Sequence, residues 1–212
     1  MDKMLLLFGS IEVLLVIFMQ WQVYIKKTII TFSISSFFMA SFLLYIGMNT
    51  KEPVVIYVAL LTLLVRVIFI PYFMIKKLKK EKWRARETQP TFGIASSIIF
   101  SILSAVVGYF VYYVSLYDDL QIRSGAVLLS LMFQGVFLMI SKRNAFTQLV
   151  GYMIMENSIL IFGTYFYPGL SLTIEAGVVL DLIGVVMISS LIGRLRENFV
   201  PDSLENSEEL KG

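Results

Sequence analysis

Apolar stretches as long as a bilayer is thick follow one another along this chain, and they constrain its fold more than any other feature. About seven can be marked, at Met4–Ile25, Thr28–Gly47, Pro53–Ile75, Phe92–Val114, Leu120–Ile140, Ala145–Phe166 and Leu170–Gly193. A hydrocarbon core about 30 Å thick needs roughly 20 helical residues to cross it. The runs do not alternate with period two, so a transmembrane barrel does not fit. Charge is too scarce to cover a water-soluble surface: 16% of residues are charged and 58% are hydrophobic, with mean hydropathy +0.80. Soluble domains carry about 25% charge. The expected fold is all-α: a polytopic integral membrane protein of about seven transmembrane helices, placed in the cell (inner, cytoplasmic) membrane. The first run is expected to stay as a helix. It is long for a cleaved signal, carries Glu12 and lacks a small-x-small cleavage site.

The cations give an orientation. There are 18 Lys and Arg residues. Lys3, Lys51 and Arg123 fall on one side, and Arg66 falls inside a span. All the others fall on the opposite side: Lys26, Lys27, the cluster Lys76–Arg86, Lys142, Arg143, Arg194, Arg196 and Lys211. Short Lys/Arg-rich loops stay in the cytoplasm, so the N-terminus is expected outside and the C-terminus in the cytoplasm. This accounts for the sequence pI of about 9.0 without a nucleic-acid partner. The loop KKLKKEKWRARE is read as a topology signal. Trp21, Tyr24, Tyr165 and Tyr167 sit where interfacial anchors belong. The long basic loop divides the chain into an N-terminal three-helix region (1–91) and a four-helix region (92–200), followed by a polar cytoplasmic tail (201–212).

The chain has no Cys and, with a His count of 0, no histidine. The usual ligands of haem, iron–sulfur clusters and Cys/His zinc sites are missing. No cofactor, metal site or catalytic residue is expected.

Ionisable groups within the apolar runs are costly and usually mark ion or proton paths. Glu12 lies about two turns into the first run. Arg66 is near the middle of the third and Glu156 near the middle of the sixth. Glu175 is about one turn into the seventh, and Asp181 is near its middle. At about 1.5 Å per residue, Glu156 and Asp181 come to roughly the same depth, on helices joined by the short Tyr167-Pro168-Gly169 turn. Gly177, Asp181 and Gly184 share one face, where small residues allow close helix approach. Gln148, Tyr152, Glu156 and Gly163 form a semi-polar stripe. Asn157 follows Glu156, and Gln134 in the fifth run is placed to join either acid. Arg66 keeps its charge, so it needs an anion: Glu12, Glu156, Asp181 or a group on a partner subunit. Pro71 releases the carbonyl of Val67 to a nearby donor or to a kink.

These residues resemble a known family. Lys142-Arg143-Asn144, then Gly151, then Glu156-Asn157 resemble the second helix of complex I subunit K. Asp181, Arg194, Arg196, Asn198, Asp202 and Ser203 resemble its third helix and tail. In an ungapped alignment the subunit K glutamate falls on Met153, one turn before Glu156, whereas Asp181 aligns directly. Subunit K has three helices. The longer pattern ALLTLLVRVIFIP (59–71), TQLVGYMIMEN (147–157) and IEAGVVLD (174–181) is similar to hydrogenase-4 component E, a membrane subunit of formate hydrogenlyase and related energy-converting NiFe hydrogenases.

The resemblance implies a non-redox subunit of an oxidoreductase complex, carrying no catalytic chemistry itself. It would contribute buried carboxylates to proton or ion translocation and to assembly. Glu156, Asp181, Glu175, Arg66 and Glu12 would be the ion-relay candidates, supported by Gln148, Asn157 and Gln134. Its partners would be antiporter-like and other hydrogenase membrane subunits, the lipid bilayer and, indirectly, the NiFe hydrogenase arm. Two other readings are compatible with the residues. One is the small subunit of a multisubunit Na⁺/H⁺ antiporter or another complex I-like assembly, against which the four extra helices count. The other is a stand-alone seven-helix transporter or receptor, against which the lack of an internal repeat counts.

Overall fold

The computed structural model describes residues 2–80 and 92–166, together with Ile183, Gly184, Val186 and Met187. These residues are almost entirely helical, with no strand among them. Helix α1 spans Asp2–Trp21 and α2 spans Ile25–Thr50. Helix α3 (Pro53–Thr62) continues through a π-helical segment (Leu63–Phe69) into α4 (Ile70–Lys80). Then come α5 (Ile94–Ser115), the single turn α6 (Tyr117–Leu120), α7 (Gly125–Ser141) and α8 (Ala145–Phe166).

Among the described residues five stretches are long and apolar enough to cross a membrane: α1, α2, the continuous Pro53–Leu78, α5 and α8. Helix α7 is equally apolar but has 17 residues, which at about 1.5 Å per residue is a few ångströms short of the hydrocarbon core. The outward faces suit lipid. Along α5, Ile99, Leu103, Val106, Phe110 and Val114 are all exposed, an apolar surface too continuous for water. The seventh apolar run, with Glu175 and Asp181, lies almost wholly outside the described residues, as do the basic loop beyond Lys80 and the C-terminal tail.

Most helix ends fall within a few residues of the sequence reading, and α8 matches it at both ends. The first run differs in a way that the packing explains. It was expected to continue to Ile25, but α1 stops at Trp21 and Ile25 begins α2. Lys142 supplies the reason. Its ammonium is buried and lies 3.4 Å from the carbonyl oxygens of Gln20 and Gln22. A helix leaves its last carbonyls without intrahelical donors, and a cation there also complements the helix dipole. Lys142 therefore does more than mark a side of the membrane, since it closes the end of α1. Its own helix starts beside it, where Asn144 Oδ1 accepts the Phe146 N–H at 2.9 Å in the manner of an N-cap.

Helices α5, α7 and α8 pack side by side, with α1 and α2 against them. The α7–α8 seam is tight. A Cβ at Gly135 would lie 2.6 Å from the Met155 amide nitrogen, and one at Gly151 would lie 2.6 Å from that of Met139. Only glycine lets the two backbones touch there. The Ser158 hydroxyl donates to the Leu128 carbonyl further along the same seam.

The interior is divided into two apolar clusters. One gathers Val16, Ile29, Phe32, Ile70, Met74, Val150, Met153 and Ile154. The other gathers Leu5, Met39, Phe42, Val58, Ala59, Leu128, Leu160 and Ile161. On four helices in turn, a polar group falls between the two. Glu12 lies between Leu5 and Val16, Ser35 between Phe32 and Met39, Arg66 between Ala59 and Ile70, and Glu156-Asn157 between Ile154 and Leu160. The charged centre of the molecule is a layer.

Candidate functional site

Within that layer Arg66 meets Glu156. An Nη of Arg66 lies 2.9 Å from a carboxylate oxygen of Glu156, and the side chains are 0% and 14% exposed. The other Nη donates to Oδ1 of Asn157. One guanidinium thus engages two consecutive residues of α8, using the fork geometry that separates Arg from Lys. Of the two acids among the described residues that the sequence offered Arg66, Glu156 rather than Glu12 forms an ion pair with it. Charge neutralisation at membrane depth answers the penalty that each group alone would pay.

The backbone around Arg66 is unusual. Arg66 lies in the π segment, where the Ile70 N–H donates to the Val65 carbonyl, five residues back. Burial explains the need for the wide turn. Thr62, Arg66, Ile70, Met74 and Leu78 are buried, while Leu60, Leu64, Ile68, Tyr72 and Lys76 are exposed. Both faces advance in steps of four. In a regular α-helix each such step overshoots a full turn by roughly 40°. Over the four steps from Thr62 to Leu78, that drift would amount to roughly 160° and carry Leu78 to the far side. The π segment takes in an extra residue and absorbs most of the drift, keeping Arg66 in line with Ile70 and Met74.

Pro71 contributes to the same distortion. It has no N–H to offer Val67, four residues before it. The Ser33 hydroxyl on α2 donates to that carbonyl instead, at 2.7 Å. The sequence pointed to a released carbonyl. Its donor was not identified there, although three hydroxyls close together in the middle of an apolar run (Ser33, Ser35 and Ser36) are the signal that would have found it.

Glu12 sits differently. It is 3% exposed, and one carboxyl oxygen accepts from the Ser35 hydroxyl. The other, Oε1, has no hydrogen-bond partner among the described residues. Because α1 begins at Asp2 rather than Met4, Glu12 is mid-helix and belongs to the same layer as Glu156. The sequence reading had placed it nearer the outer surface.

The supporting polar residues scatter. Gln134 turns toward α5, where its Nε2 lies 3.4 Å from both oxygens of Ser101, the backbone carbonyl and the hydroxyl. Gln148 donates to the Lys142 carbonyl at 2.9 Å, bracing the α7–α8 turn. Neither of these hydrogen bonds goes to Glu12 or Glu156. Among the described residues nothing lies within 4 Å of where a Cβ on Gly163 would stand. Asp181 and Glu175 lie outside the described residues, and with them the pairing expected between Glu156 and Asp181. Among the described residues no cluster of three or more potential metal-ligating side chains occurs.

No family model matches the chain, and no solved structure matches it. The uncharacterized protein Rv0085 of Mycobacterium tuberculosis is 24% identical over 168 residues, covering 78% of this chain and 76% of that protein.

Proposed function

We propose that the chain is a non-redox membrane-arm subunit of a multisubunit energy-converting hydrogenase of the formate hydrogenlyase kind, and that its ionisable layer takes part in proton or ion movement. The observation that carries the reading is the ion pair of Glu156 with Arg66 in the middle of the apolar helices, with Asn157 on the second arm of the guanidinium. The motifs Ala59–Pro71 and Thr147–Asn157, which make the chain resemble hydrogenase-4 component E, are the two segments that carry this centre.

In this reading the charges of Arg66 and Glu156 are matched until a proton reaches the carboxylate. Protonation of Glu156 frees the guanidinium to lean on Asn157 or on another acid. Asp181 and Glu175 are the further relay acids that the sequence suggests, and Glu12 is another acid in the same layer as Glu156. Antiporter-like subunits and the hydrogenase arm are the partners across which a charge displaced here would be felt. The N-terminus is outside and the C-terminus cytoplasmic, which puts Lys142 and the α1–α2 turn on the inner side.

The test is gentle detergent extraction of the tagged full chain from its native membrane, followed by identification of what accompanies it. Hydrogenase and antiporter-like subunits are the expected company. An antiporter assembly lacking any hydrogenase, or a chain that purifies alone and transports a small molecule, refutes the proposal.

A further inference from the structure

We infer that Ser33 is a positioning residue for the Arg66–Glu156 pair, acting through the backbone carbonyl of Val67. This deepens the reading just given and rests on it for any consequence in ion movement. Its geometric content stands by itself.

Three observations meet at one peptide group. Pro71 removes the donor that an α-helix would have given Val67. The helix widens into its π segment over Leu63–Phe69, with Arg66 inside it. The Ser33 hydroxyl then reaches across from α2 and donates to the freed carbonyl at 2.7 Å. A buried carbonyl left unpaired at membrane depth is costly, so this hydroxyl favours the wide turn over its alternatives. The register matters because it is angular. Removing the extra residue would turn Arg66 by roughly 100° relative to the helix beyond it. A guanidinium turned that far has lost Glu156 and Asn157. A serine one helix away, whose hydroxyl donates to a backbone carbonyl, thereby sets where the positive charge points.

Ser33 also shares α2 with Ser35, the donor to Glu12. One short stretch of α2 thus supports both centres of the layer, one through a backbone carbonyl and the other directly.

The absence of cysteine from the chain allows a direct test in the full-length protein in its native membrane. The variant pair Arg66→Cys and Asn157→Cys reports the Arg66 register by crosslinking with a short bifunctional thiol reagent that spans the reach of an arginine side chain, independently of the ion pair. A second pair, Asp2→Cys and Ser124→Cys, reports the folded bundle, since Ser124 donates to Asp2 far from the π segment. Ser33→Ala is expected to lower the 66–157 crosslink several-fold and leave the 2–124 crosslink unchanged. Ser33→Thr, which keeps the hydroxyl, is expected to restore the 66–157 crosslink. An unchanged 66–157 crosslink in Ser33→Ala overturns the inference, and so does a loss that Ser33→Thr fails to rescue.

If Ser33→Ala loses both crosslinks, the double variant Ser33→Ala/Pro71→Ala decides. There the restored amide at 71 gives Val67 an intrahelical donor, which removes the cause of misfolding without restoring the latch. A recovered 2–124 crosslink with a weak 66–157 crosslink supports the inference. A fully recovered 66–157 crosslink, or no recovery of either, overturns it. Because crosslinking reads geometry and not ion flux, this outcome is separable from the fate of the hydrogenase reading. Unaltered ion movement in a Ser33→Ala protein with a lost 66–157 crosslink counts against that reading and leaves the positioning role standing.

Discussion

Glu156, partly buried, and Glu12, fully buried, are two acids in one layer, and they are held in opposite ways. Glu156 faces a fully buried guanidinium at 2.9 Å. Glu12 is more deeply buried, and its described partner is a hydroxyl, with Oε1 left without a hydrogen bond among the described residues. The difference teaches that burial alone does not define the site. A carboxylate with a matched cation is half of a charge pair, and removing it strands the other half. A carboxyl beside a serine strands nothing when it is replaced by an amide.

The largest expected effect breaks the pair. Glu156→Gln leaves Arg66 buried without its anion, which costs about 3–5 kcal/mol. Glu12→Gln keeps an oxygen for Ser35 and should cost less than about 1 kcal/mol. Thermal unfolding of the full chain in lipid discs measures both. Equal losses would erase the distinction drawn between the two acids.

Next is the seam that carries Glu156. Gly151→Val pushes a side chain into the Met139 backbone and should cost about 1–3 kcal/mol by overpacking. It should also weaken crosslinking between positions 66 and 157, because α8 moves as a unit. A stable variant with undisturbed crosslinking would mean that the α7–α8 contact does not set the site. The double variant Arg66→Met/Glu156→Met sharpens the comparison from the other direction. Replacing a whole buried pair by apolar groups is often neutral or stabilising, so most of the loss in Glu156→Gln should be recovered while ion movement is not. Recovery of both would make the pair a packing device. A small effect is also expected of Ser35→Ala, about 1 kcal/mol for one hydrogen bond to a buried acid, read by the same unfolding measurement.

The sequence made some of this legible and hid the rest for physical reasons. Helix α8 was readable at both ends because cations and Asn144 precede it. The charges inside the apolar runs were visible for the same reason: against an apolar background, Arg66 and Glu156 stand out. Their pairing was not, since four anions competed for Arg66 and helix order does not say which helices touch. The π segment was hidden because Leu63–Phe69 is apolar except for Arg66. The four-residue stepping of buried and exposed positions appears only when burial is known. Lys142 read as a surface cation, and its position under the end of α1 depends on how α7 and α8 dock. The α2 hydroxyls were legible as a cluster, and their targets, Val67 and Glu12, were not.

The central claim is that the Arg66–Glu156 pair, rather than burial of acids in general, handles ions. Formate-driven ion movement in inverted membrane vesicles containing the assembled complex tests it most directly, with Glu156→Gln and Glu12→Gln compared at equal complex content. The account predicts that Glu156→Gln abolishes or greatly reduces ion movement, while Glu12→Gln retains most of it. Full ion movement in Glu156→Gln at unchanged hydrogen output would contradict it.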